Sequence, residues 1–221
     1  MFLDVSRLAR QGGDAATVVR LMMACNDLVL ANAIFGTYDR DGSESREYIR
    51  RGAGLYLIRL QIAHLYESLK VVADIASSAS LSGFVMRCPA AILESFQALL
   101  KYTSRGEKRK EFERRYGKIR NTAAFHYDPT LTLRALKHRS ARHPNVADKI
   151  TTSDDIARIR FQVADNIVDT LVCRQVLEIP VDADAMEDAN RFMESAFEVF
   201  RTLIGFAIPF IERYIAEYAA K

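Results

Sequence analysis

Apolar positions along this chain recur in steps of three and four, the spacing of one helix face. From about residue 45 to 77, Leu55, Ile58, Ile62, Leu65, Leu69 and Val72 draw a single stripe along a long helix. Upstream, residues 14–35 carry Val18, Met22, Leu28 and Phe35, with Asp14 as candidate N-cap and Gly36 as the stop. That helix is apolar nearly all round, which predicts a central position. Turn formers in TYDRDGSES separate the two.

The run SSASLSG reads as a flexible link. Pro89 then suits the first turn of a third helix reaching about Thr103, because its missing N–H is unpaired there anyway. Gly106 marks the next break. A fourth helix follows, with Phe112, Tyr116, Ile119 and Ala123 on its buried face, and Pro129 ends it by disfavouring helical geometry at Asp128.

A shorter helical piece over 131–141 leads into a turn at Pro144. RIRFQV alternates as a strand does, but no second strand is evident to pair with it. The reading is therefore a helix from about Ala164 to Leu177, or an extended connection. The last helix starts near Asp182 and sets Phe192, Ala196, Val199, Leu203, Phe206 and Phe210 in steps of four and three. Pro209 predicts a kink in it. Together these elements predict an all-α, up-and-down helical bundle of five to seven helices, one domain over 1–221.

Composition narrows the class. With 49% hydrophobic and 27% charged residues, the 221-residue chain has enough apolar surface to offset the entropy of folding. The N-terminus has no uninterrupted apolar run of the secretory kind, and LVLANAIF and TLIGFAIPFI are shorter than the roughly 20 residues of a membrane span. The expectation is a cytoplasmic protein without a membrane partner. Cys25, Cys88 and Cys173 are odd in number and widely spaced, which predicts free thiols instead of a disulfide framework or zinc site. No cofactor is called for.

Charge is distributed unevenly. Between Lys101 and Lys149 there are 14 Lys or Arg against 5 Asp or Glu, a surplus of nine in a chain whose net charge is +3. Two readings stand: a solvated face laced with i,i+4 pairs such as Glu111 with Arg115, or a footprint for a polyanion. In the second reading Lys108, Arg109, Arg114, Arg115 and Lys118 contact phosphates.

The stretch RNTAAFHYDP, residues 120–129, sits in this basic region. Arg120 can bind a phosphodiester in bidentate fashion and stabilise the charge of a pentacoordinate transition state. His126 titrates close enough to neutrality to take a proton from a ribose 2'-hydroxyl or give one to the leaving 5'-oxygen. On one straight helix, six residues leave the two side chains about 120° apart and about 9 Å along the axis. Convergence needs either a distortion at TAAF or two copies of the motif facing each other across a two-fold axis. The plainer alternative has Arg120 paired with Asp128 or Glu113 and His126 capping a helix end.

This R-N-x-x-x-x-H pattern resembles that of the HEPN superfamily, the higher eukaryotes and prokaryotes nucleotide-binding domains. The resemblance implies a HEPN-like core over 14–178, with the helix at 182–219 packing on it or at a dimer interface. It also implies a homodimer with the motifs at the interface, and metal-independent endoribonuclease activity of the kind used in toxin–antitoxin and antiphage systems. RNA, a second copy and an antitoxin protein are then the expected partners. Carried over, Arg120 and His126 are catalytic and Asn121 is the polar neighbour that orients them.

The bare pattern occurs a second time, from Arg59 to His64, but there Leu60 follows the Arg, and His64 reads as a core or interhelical histidine. His138 and His143 have no carboxylate or thiol at ligand spacing, so phosphate contacts or solvent exposure fit them better than a metal. Gly52-Ala53-Gly54 falls within a helical stripe, where small residues suit close packing instead of a phosphate loop.

Overall fold

The computed structural model describes residues 3–40, 47–104, 106–117, 129–148, 150–152, 154, 160–171 and 185–219. The chain is all-α: most of these residues are helical, and the strands among them are one antiparallel pair of two residues each. In order the helices are α1 (Val5–Ala9), α2 (Gly13–Arg40), α3 (Glu47–Ser77), α4 (Ala79–Met86), α5 (Ala90–Leu100) and α6 (Arg109–Phe112), the last continuing as a π-helical turn over Glu113–Gly117. Next come α7 (Pro129–Arg142), β1 (Ile150–Thr151), β2 (Arg160–Phe161), α8 (Gln162–Thr170) and α9 (Ala185–Tyr218). The polypeptide divides into two compact units: Met1–Leu30 with His64–Arg114 and Met193–Lys221, and Ala31–Ala63 with Arg115–Phe192.

Three local expectations are corrected. Gly36 does not stop α2, which runs on to Arg40; a glycine inside a helix costs about 1 kcal/mol relative to alanine, which neighbouring turns can outweigh. SSASLSG is not a loose link. Ser78 adopts an extended backbone and its Oγ accepts the Leu81 N–H at 3.3 Å, so it caps α4, whose axis lies 91° from that of the preceding helix. Asp14 is not an N-cap; it lies in the first turn of α2, and its carboxylate accepts the hydroxyls of Ser78 at 3.1 Å and of Ser80.

RIRFQV does have a partner, and this too is a correction. Ile150 faces Phe161 and Thr151 faces Arg160 in an antiparallel pair. The helix that follows begins at Gln162, two residues earlier than its apolar spacing suggests. Pro89 stands at the entry to α5, and Pro129 is the first residue of α7, both positions where the lost N–H has no helical partner.

In the first unit the core is aromatic and lies along α9. Ala196, Val199, Leu203, Phe206 and Phe210 are buried on one face, as their spacing predicts. Phe206 packs on Phe96 of α5 with ring centroids 5.1 Å apart, and Phe84 of α4 meets Phe210 edge-on at 5.6 Å. Each such phenyl ring taken from water contributes about 1.5–3 kcal/mol. The chain termini are joined by a hydrogen bond from the Asp4 N–H to the Ala219 carbonyl at 2.8 Å. Arg20 of α2 pairs with Asp74 of α3 at 2.8 Å.

The second unit contains the α7–α8 pair. Ala135, Ile167 and Leu171 are buried there, with Leu131 and Val163 packed against them. Arg139 of α7 grips the Asp148 carboxylate through Nε at 2.9 Å and through Nη2, and Asn166 of α8 donates to the same carboxylate at 2.7 Å. One carboxylate thus joins the loop after α7 to both helices.

Candidate nucleic-acid interface

The described part of the basic region is built on the turn between α5 and α6. Thr103 accepts the Gly106 N–H at 2.9 Å, and the Lys108 N–H reaches back to the Lys101 carbonyl at 2.8 Å. A β-carbon on Gly106 would lie 2.1 Å from the Lys101 oxygen and 2.3 Å from that of Leu100. Only glycine admits the backbone this close. The break expected at Gly106 therefore has a steric basis.

Tight folding of that turn delivers Lys108 and Arg109 to the start of α6. Phe112 anchors the helix: it is buried, stacks on Tyr66 of α3 at 6.2 Å and meets Tyr102 edge-on at 5.7 Å. Around this aromatic group the cations are arranged unequally. The Lys108 ammonium is exposed, 5.3 Å from the Tyr102 ring centre. The Arg109 guanidinium lies over the Tyr66 ring at 5.3 Å, ion-pairs with Glu113 and donates to the Tyr66 hydroxyl at 3.1 Å.

Tyr66 completes a small network by donating its own hydroxyl proton to Glu113 Oε1 at 2.6 Å. Its phenol is held above the usual tyrosine range, first by burial and next by this bond to a carboxylate, with Arg109 opposing. Glu113 opens the π-helical turn, which ends on buried Tyr116 and Gly117. Such turns widen a helix by one residue and are frequent at functional sites. Nothing in the sequence signals it.

Of the residues read as phosphate contacts, Lys108 and Arg114 are exposed, and Arg109 is half-buried and engaged by Glu113 and Tyr66. The backbone of Arg115 lies in the π turn, but its side chain falls outside the described residues. Lys118, Arg120, Asn121 and His126 also lie outside them. Arg109 and Glu113 form an i,i+4 pair in this segment, while the Glu111–Arg115 pair expected from spacing involves a side chain outside the described residues.

The other histidines are placed plainly. His64 Nδ1 of α3 lies 3.6 Å from Asp27 Oδ2 of α2, an interhelical contact. Arg59 is buried, with its guanidinium 5.9 Å from the Tyr56 ring centre. His143 is exposed beyond α7 and His138 is half-buried on it. Among the described residues no three His, Cys, Asp or Glu side chains form a metal-binding group.

Cys25 and Cys88 are buried free thiols. Burial pushes the Cys25 thiol up to about 11, so it stays protonated and unreactive at neutral pH.

Comparison with known proteins adds no assignment: no family model, curated protein or solved structure matches the chain.

Proposed function

We propose that the chain is a metal-independent endoribonuclease of the HEPN type, cytoplasmic and homodimeric, acting as a toxin or antiphage component. The reading rests on one observation, the stretch RNTAAFHYDP at the end of a basic region in an all-α chain. Arg120 stabilises the charge gathering on the phosphate, and His126 moves the proton between the 2'-hydroxyl, the leaving 5'-oxygen and solvent. Asn121 orients the pair. A second copy supplies the second histidine, so that one acts as base and the other as acid. Exposed Lys108 and Arg114 support the reading by adding phosphate contacts that hold the strand.

Purified protein incubated with RNA in EDTA tests this directly. Cleavage that disappears in His126→Ala supports it; intact RNA, or cleavage indifferent to that substitution, removes it.

A second reading is favoured by the exposure of Lys108 and Arg114: a non-catalytic helical dimerisation module that binds nucleotide, RNA or a partner protein through this segment. Reversing both charges would then abolish binding while His126→Ala leaves it intact.

A further inference from the structure

Helix α2 has two apolar faces, and the fold uses one. Val18, Leu21, Cys25 and Leu28 are buried in the first unit. At about 100° per residue, Val19, Met23, Asn26 and Leu30 fall within an arc of about 60° on roughly the opposite side. This second face is open to solvent: Met23 is 60% exposed, Leu30 61% and Val19 37%, with Val29 beside them at 49%. Its spacing of four, three and four is that of a coiled-coil seam. A run of large apolar side chains facing water on one helix marks a contact surface.

The charges bordering the seam identify its occupant. Between Asp14 and Asp39 the sequence has only two charged residues, Arg20 and Asp27. They stand seven apart, hence on the same flank, one toward each end of the stripe. If two α2 helices lie antiparallel about a two-fold axis at the level of Ala24 and Cys25, Val19 of each meets Leu30 of the other and Met23 meets Asn26. Arg20 of each then lies against Asp27 of the other, on both sides of the axis. The opposite flank, Met22 against Val29, is apolar. In a parallel pair Arg20 would face Arg20. The surface is thus complementary to itself in one orientation, which is the requirement of an isologous contact, and Asn26 in the seam disfavours slipped registers.

Both charges are available for this role. Arg20 and Asp27 keep about half of their side-chain surface, 51% and 54%, while touching Asp74 and His64 within the chain. We propose that the protein self-associates through α2, as an antiparallel pair stitched by two Arg20–Asp27 contacts. The pairing deepens the homodimer of the proposed nuclease by naming the helix at which two copies meet. A dimer insensitive to substitution at Arg20, Asp27 and Leu30 removes the pairing alone, whereas a monomeric wild-type protein removes both readings.

A bilayer is the competing occupant, because Gly13–Ile34 has the length and mean hydropathy, 1.4, of a membrane-crossing helix. The lipid reading leaves Arg20 and Asp27 only their contacts with Asp74 and His64 of α3, and gives no use to the half of each side chain that remains exposed.

Sedimentation of the full chain, with circular dichroism confirming folding, decides the matter. Arg20→Glu alone and Asp27→Arg alone should each weaken dimerisation about tenfold, since each sets two like-charge contacts across the axis. Mixed one to one, the two variants should recover the dimer as a heterodimer with both contacts restored. Leu30→Glu, at a position that is 61% exposed in the fold, should also give monomers. A dimer insensitive to all three substitutions overturns the proposal, as does a mixture that stays monomeric. Monomeric wild-type protein that floats with anionic phospholipid vesicles, and loses flotation in Leu30→Glu, assigns the face to lipid and overturns it equally.

Discussion

The Tyr66 hydroxyl lies 2.6 Å from Glu113 Oε1, and the two residues are 47 positions apart in the chain. This one bond fastens the first residue of the π-helical turn to the middle of α3. Arg109 completes the connection by touching both partners. The described start of the basic segment, Lys108 to Glu113, is therefore held against α3.

Tyr66→Phe keeps the ring that stacks on Phe112 and removes only the hydroxyl. Glu113 then loses a donor and Arg109 an acceptor, in a site that is partly closed to water. The expected loss is about 1–2 kcal/mol, the usual cost of a buried hydrogen-bonding group left without its partner. Urea unfolding should show a lower midpoint with an unchanged slope; an unchanged midpoint would mean that water replaces the hydroxyl without cost.

Asp148 governs an acid-sensitive step in the second unit. Hydrogen bonding from Arg139 holds its carboxyl below the usual aspartate range, with Asn166 and the charges of Arg139 and His143 acting the same way against burial. A depressed folded-state pKa contributes stability that is present above the unfolded value of about 3.9 and is lost as pH falls through the folded value. Wild-type stability should therefore decline below about pH 4. Asp148→Asn should be less stable at neutral pH and show a shallower acid decline, which thermal melts across pH would read.

Gly106→Ala should act through sterics alone. The added carbon would fall far inside contact distance of two carbonyl oxygens, 2.1 and 2.3 Å away, both on rigid backbone at the end of α5. The turn must open, displacing Lys108 and Arg109. A cost of about 1–3 kcal/mol is expected, the range for overpacking. In the proposed nuclease, RNA affinity should also fall. Alanine at Gly83 of α4, where a β-carbon meets nothing within 4 Å, serves as the control and should be neutral or nearly so.

Much of the helical framework was legible in sequence, because a helix is a local object whose buried face repeats every three or four residues. The stripe of α9 from Ala196 to Phe210 is buried as read, α3 ends at Ser77, and Pro89 opens α5. Errors fell where a local preference was outweighed. Gly36 disfavours a helix but is carried through by its neighbours, and the serines after Ser77 look like linker until Ser78 is seen capping α4 over Asp14.

The candidate site divides in the same way. Arg120, Asn121 and His126 are a pattern that sequence alone supplies, together with the excess of cations around them. What those cations do is set elsewhere. Only the folded chain shows that Arg109 is committed to Glu113 and Tyr66 while exposed Lys108 rests on Tyr102, that Ile150 pairs with Phe161, and that Asp148 joins Arg139 to Asn166. The reason is physical: helical periodicity is fixed by the residues within each turn. An ion pair, a β ladder or a solvent-facing apolar stripe depends on which distant segments are brought alongside, and on which faces they leave uncovered.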